Sequence, residues 1–165
     1  MEGSLKGQLL IAAPQLADYF RRTVVLVLEH TEEGAMGVVL NRPTDTAVAE
    51  AVPDLAELAG DDALVHVGGP VDPNAVLALG DVGGTPELLA PEDTDRELRR
   101  VRVFAGYTGW APGQLDGEIE EDAWIITAAT PDDAFAERDL WPEVLQRKGG
   151  SYALMATMPD DPTLN

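Results

Sequence analysis

Thr23–Glu29 (TVVLVLE) is an unbroken run rich in β-branched residues, and it limits the fold more than any other stretch. A run of this kind, with no polar alternation, reads as a strand buried on both faces. Turn material follows at Thr31-Glu32-Glu33-Gly34, and Met36–Leu40 (MGVVL) reads as the returning strand. The pair predicts an antiparallel hairpin. Asn41-Arg42-Pro43 reads as its end, because proline cannot donate to a strand ladder. Ahead of it, Gly7–Ala13 (GQLLIAA) is a short β-compatible run closed by Pro14.

Thr46–Ala59 carries Val48, Val52, Leu55 and Leu58 near helical spacing, with Pro53 interrupting. One helix with a late start and two short turns both fit that pattern. Leu64–Val67 and Ala75–Leu79 read as strands on either side of the sharp turn Gly68–Val71. Asp81–Asp95, with its glycines, prolines and acids, reads as a loop. Arg99–Ala105 (RRVRVFA) alternates as a half-exposed strand does. Pro112–Glu121 predicts a short helix with Leu115 and Ile119 on one face and Gln114 and Glu118 on the next. Trp124–Ala129 predicts a strand, and Asp132–Ala136 and Leu140–Arg147 predict short helices, the second closed by Gly149-Gly150. Connections this short do not suit regular parallel crossovers, so the class expected is α+β.

The chain has 165 residues, 45% of them apolar, which fits one domain over residues 1–165 with terminal tails at 1–6 and 158–165. Eleven Lys+Arg against 30 Asp+Glu give a net charge of −19. That charge repels phosphate backbones and anionic lipid surfaces, which argues against direct nucleic-acid or membrane binding. No secretory signal or long apolar segment is visible, and a cytoplasmic protein is the expectation. The absence of cysteine removes disulfides, thiolate metal sites and cysteine nucleophiles together.

The chemistry on offer is sparse. His30 and His66 are the only histidines, neither has a second histidine at i+4, and no zinc motif is present. Both read more readily as partly buried structural histidines than as ligands. The acidic group Asp116, Glu118, Glu120, Glu121 and Asp122 reads as a solvated helix face. Ser4 and Ser151 are the only serines, and neither sits in a G-x-S-x-G elbow. No glycine pattern matches a phosphate loop or a dinucleotide fingerprint, so no cofactor and no metal is expected. One stretch stands out. Gly106-Tyr107-Thr108-Gly109-Trp110-Ala111-Pro112-Gly113-Gln114 follows a strand and opens a helix, combining two large aromatics with turn glycines. Tyr107 and Trp110 there offer an apolar wall with polar tips.

Five segments, in order, resemble the YqgE/AlgH family. They are GQLLIAAPQLAD (Gly7–Asp18), RTVVLVLEHTEEGAMGVVLNRP (Arg22–Pro43), VGGPV (Val67–Val71), GYTGWAPGQLDGEIEEDAW (Gly106–Trp124) and MPDDPTLN (Met158–Asn165). The resemblance implies a strongly bent, largely antiparallel sheet forming a pseudo-barrel, with flanking short helices. It carries no established biochemical activity, although some members are labelled transcriptional regulators. Three functions are weighed. The first is a soluble domain that binds a small molecule or a protein partner and has an indirect regulatory or housekeeping role. If the turn-rich segments gather around one cleft, His30, Asn41, Arg42, Tyr107, Trp110 and Gln114 are its expected lining. The second is a hydrolase or transferase in the same cleft with His30 as base, which lacks an evident nucleophile. The third is direct DNA binding, which the charge disfavours and which no helix-turn-helix pattern supports.

Overall fold

The computed structural model describes residues 4–16, 19–60, 62–89, 100–137 and 139–157. Its strands are β1 (Gln8–Ala12), β2 (Val24–Thr31), β3 (Gly34–Val39), β4 (Pro43–Ala47), β5 (Leu64–Val67), β6 (Val71–Val82), β7 (Thr85–Leu88), β8 (Val101–Trp110) and β9 (Trp124–Ala128). They form one sheet in the order β4-β5-β8-β3-β2-β1-β9, with β6 pairing β8 and carrying β7. Among the described residues every pairing is antiparallel except β5–β8. The sheet is curved and largely antiparallel, and it is not closed into a barrel. β4 and β9 lie at opposite ends of the strand path.

The double-faced burial of β2 follows from strand periodicity. Leu9, Leu26 and Val38 stand in one cross-strand row, and Leu10, Val25 and Val39 stand in the next. The first row joins a core with Leu140, Trp141, Val144 and Leu145 of helix α4 (Leu140–Lys148). The second joins a core with Trp110, Trp124 and Leu115, the last from helix α3 (Gln114–Glu120). A third, smaller cluster joins Val65 of β5 and Val103 of β8 to Val48 of α1 (Val48–Ala51). That segment breaks where Pro53 sits: α1 is followed by a 3-10 turn (Pro53–Leu55) and then α2 (Ala56–Ala59). Helix α4 is capped by the Asp139 side chain, which accepts the Trp141 N–H, and it ends at Gly149 with φ 81°. A short α5 (Ser151–Met155), absent from the sequence reading, follows.

The hairpin ends before Asn41-Arg42-Pro43, as expected, and Pro43 then opens edge strand β4, a position that proline tolerates because its missing N–H can face away from the ladder. Two local expectations are corrected. Asp81–Asp95 is not all loop: β6 runs through Val82 and turns at Gly83-Gly84 into β7, and residues 90–95 lie outside the described residues. The Gly106–Trp110 stretch is not a turn but the second half of β8. Gly106 has φ 75°, and a Cβ there would meet the carbonyl oxygens of Gly69 and Val71, so this glycine serves a close backbone approach where β6 and β8 slip register. The 158–165 tail also lies outside the described residues.

Candidate functional site

The six residues expected to line one cleft are placed in three groups. His30, Ala35 and Trp110 stand in one cross-strand row over β2, β3 and β8, beside α3. Gln114 opens that helix, so His30, Trp110 and Gln114 do come together. Their polar atoms are already engaged by carboxylates of α3 and by the backbone. The Trp110 indole donates to Glu118 Oε1 at 3.0 Å, and the Gln114 amide donates to Glu118 Oε2 at 2.9 Å. His30 Nδ1 accepts the Leu5 N–H at 2.9 Å, so its proton resides on Nε2, 3.6 Å from Asp116 Oδ1. His30 thus holds the start of the described chain against β2, and its lone pair is taken. Tyr107 sits three residues before Trp110 on β8, which puts it on the opposite face, against the α4 core.

Asn41 and Arg42 sit at the far end of the hairpin. Asn41 Oδ1 accepts the Val24 N–H, while its amide donates to the Arg22 carbonyl and to Asp139 Oδ1 at 3.1 Å. Arg42 donates to the Arg21 carbonyl at 3.0 Å and lies 4.9 Å from the Tyr19 ring centre. Of the six, only Asn41 lines the larger cleft.

That cleft has a volume of about 690 Å³. It opens where the parallel strands β5 and β8 begin, with α2, Gly60, Asp62 and Ala63 on one side and Phe135–Glu137 with Asp139 on the other. A second hollow of about 450 Å³ lies by the β6–β7 hairpin and the start of β1. Its charged lining is Lys6, Glu29 and Glu87, and Lys6 pairs with Glu29 at 3.4 Å.

The chemistry of the larger cleft centres on His66 and Arg102. His66 pairs in register with Phe104, and the two rings lie 6.0 Å apart. Its Nδ1 is 3.2 Å from the Leu64 carbonyl, an acceptor only, so Nδ1 carries the proton and Nε2 holds the lone pair. Burial, with a contribution from the Arg102 charge, pushes the His66 pKa down to about 4. The ring is therefore neutral at pH 7. Arg102 donates to three successive carbonyls: Ala134 at 3.4 Å, Phe135 at 3.2 Å and Ala136 at 2.6 Å. Burial works against its charge, Glu137 favours the charge and Arg100 opposes it. Among the described residues, no carboxylate lies within ion-pair distance of Arg102. Arg100 is different: Asp81 and Asp132 hold it at 3.0 and 2.9 Å and keep it charged. Four carboxylates also line the cleft: Glu57, Asp62, Glu137 and Asp139. Among the described residues no group of three or more His, Asp or Glu is placed to hold a metal ion, and no helix is long and apolar enough to cross a membrane.

The depressed His66 pKa makes a signed prediction. The unfolded chain takes up this proton near pH 6.5 and the folded chain only near pH 4, so this contribution to stability falls as pH drops through that window. The loss should be on the order of 2 kcal/mol, allowing for the solvent that reaches the cleft. Urea unfolding of wild type and His66→Gln at pH 7 and pH 4.5 checks it. The gap between the two proteins should differ between the two pH values, and a gap independent of pH removes the argument.

The sequence gives His66 the reading of a structural histidine and does not single out Arg102 or Asp139. The signal available was the alternation of Arg99–Ala105, which places Arg102 and Phe104 on one face, the face that the register also gives to His66.

A curved antiparallel sheet covered on both faces by short helices, with a polar cleft where its one parallel pair begins, is the class of protein these features define. The chain belongs to the AlgH-like family (DUF179), whose model matches residues 9–153. It is similar to a UPF0301 protein of Streptomyces coelicolor, with 44% identity over 98% of this chain and 96% of that one. A UPF0301 protein of Mycobacterium bovis is 40% identical over 96% of this chain and 90% of its own length. Among solved structures, a Corynebacterium diphtheriae protein superimposes with a TM-score of 0.84 at 29% identity, covering 92% of this chain and 91% of that one. The solution structure of the AlgH protein of Pseudomonas aeruginosa gives 0.73 at 27% identity, covering 96% of each chain.

Proposed function

We propose that this protein is a ligand-binding domain whose site is the cleft at the start of β5 and β8. The observation that carries the reading is the pairing, in one cleft of about 690 Å³, of a neutral buried imidazole with a half-buried guanidinium that has no carboxylate partner among the described residues. Polar groups taken out of water are costly unless a partner meets them, and a small number of precisely placed polar groups is how small-molecule sites select a ligand. Binding is favoured over catalysis because an imidazole that titrates near pH 4 is a hydrogen-bond acceptor but a weak base at neutral pH. The His30 route to catalysis is weaker still, since Leu5 occupies its lone pair. A regulatory or housekeeping role then passes through the bound ligand or through a protein partner, not through DNA, given the net charge of −19.

A thermal-shift screen of the purified protein against amino acids, organic acids, sugars and nucleotides tests the reading. A compound that binds the folded state raises the melting temperature by mass action, by several degrees at concentrations well above Kd. The expected hits lose their effect in Asn41→Ala and His66→Ala. Hits that survive both substitutions move the site elsewhere.

A further inference from the structure

The charges around the cleft narrow the ligand class, an inference that rests on the proposed cleft being the binding site. A guanidinium has five N–H donors. Arg102 uses three contacts, two from Nη1 and one from Nη2, on the carbonyls of residues 134–136. Nε–H and one Nη2–H are left without an acceptor among the described residues, and a carboxylate accepts two such bonds at once. The rim carries the opposite charge. Glu57, Asp62, Glu137 and Asp139 line the same cleft, and all four are exposed. Arg100 does not offset them, because Asp81 and Asp132 already hold it. A simple anion would meet Arg102 in a cleft lined by four carboxylates. A simple cation would leave Arg102 unpaired. His66 Nε2 adds a neutral acceptor suited to an N–H or O–H of the ligand.

We propose that the cleft takes a zwitterion of the amino-acid type: a carboxylate on Arg102, an ammonium facing His66 Nε2 and the acidic rim, and a small apolar body. Like charges juxtaposed across an interface discriminate against wrong partners, so the arrangement rejects each half-charged analogue for a different reason.

Three probes of equal size separate the terms. L-leucine carries both charges, 4-methylpentanoate lacks the ammonium, and L-leucinamide lacks the carboxylate. Each is titrated into the 15N-labelled full chain, following the backbone amides of His66 and Arg102 and the Arg102 Nε–H. Leucine should saturate shifts at these positions, with each analogue binding at least tenfold more weakly. Arg102→Gln should bring leucine down to the level of leucinamide. If that variant fails to fold, His66→Gln is used and should weaken leucine while leaving the order of the three probes unchanged. An analogue that matches leucine overturns the zwitterion assignment and leaves the cleft as a small-molecule site. Absence of shifts with all three at 20 mM (roughly the ceiling for a specific small-ligand site) overturns it as well. The thermal-shift screen then decides separately whether the cleft binds anything.

Discussion

Trp141→Ala lowers the free energy of unfolding by about 3–5 kcal/mol, the range seen when a large buried aromatic is truncated. Trp141 is fully buried at the second position of α4, at the centre of the larger core. Its indole N–H also closes a gap in the sheet. The Ala12 N–H donates to the Thr23 carbonyl, but the Thr23 N–H turns away to the Phe20 carbonyl. The Ala12 carbonyl would lack its expected return bond, and Trp141 Nε1 supplies one at 2.8 Å. The Arg22 guanidinium lies 4.2 Å from the ring centre and covers it. Trp141→Phe separates the two contributions. It keeps most of the apolar volume and loses the donor, so about 1–3 kcal/mol should go with it. Urea unfolding at pH 7 measures both. A Phe variant as stable as wild type would show that Ala12 finds another donor, and an Ala variant within 1 kcal/mol of wild type would remove α4 as the clamp on this face.

The hairpin that dominates the sequence is also its most legible part. An unbroken apolar run rich in β-branched residues can satisfy its burial only between two covered faces, and β1, β2 and β3 are built that way. Local chemistry reads well for the same reason: Pro53 breaks a helix and Gly149 ends one wherever they stand. What does not read is anything decided by a distant strand. Tyr107-Thr108-Gly109-Trp110 has the composition of a turn, yet β3 pairs with Gly109 and Trp110 and so keeps the segment extended. The cleft is hidden by the same cause. His66 and Arg102 share it only because β5 runs parallel to β8, the one pairing that a chain of short connections does not lead one to expect. His30 and Arg42 looked more available than they are, because the Leu5 N–H and the Tyr19 ring that occupy them come from neighbouring segments without any motif.

The acidic run after Trp110 shows how a bland pattern conceals a structural charge. Asp116, Glu120, Glu121 and Asp122 are exposed or half-exposed, as a solvated face requires, but Glu118 turns inward. One of its oxygens accepts both indole N–H groups, Trp110 at 3.0 Å and Trp124 at 2.9 Å, and the other accepts the Gln114 amide. The two rings meet edge to face at 6.2 Å and belong to β8 and β9, strands that do not pair with each other. Glu118 therefore joins, through α3, two strands whose backbones make no ladder. Removing it orphans two donors on nearly buried rings, and each such loss costs about 1–3 kcal/mol. Glu118→Ala should lower stability by about 2–4 kcal/mol. Glu118→Gln keeps one acceptor oxygen but presents an amide to the Gln114 amide, so its loss should be smaller, about 1–2 kcal/mol. A double-mutant cycle with Trp110→Phe makes the test specific, because the Phe ring has no donor to orphan. In that background Glu118→Ala should cost less than it does alone, by at least the 0.5 kcal/mol that marks coupled sites. Equal costs in both backgrounds would return Glu118 to the solvated face that its neighbours occupy.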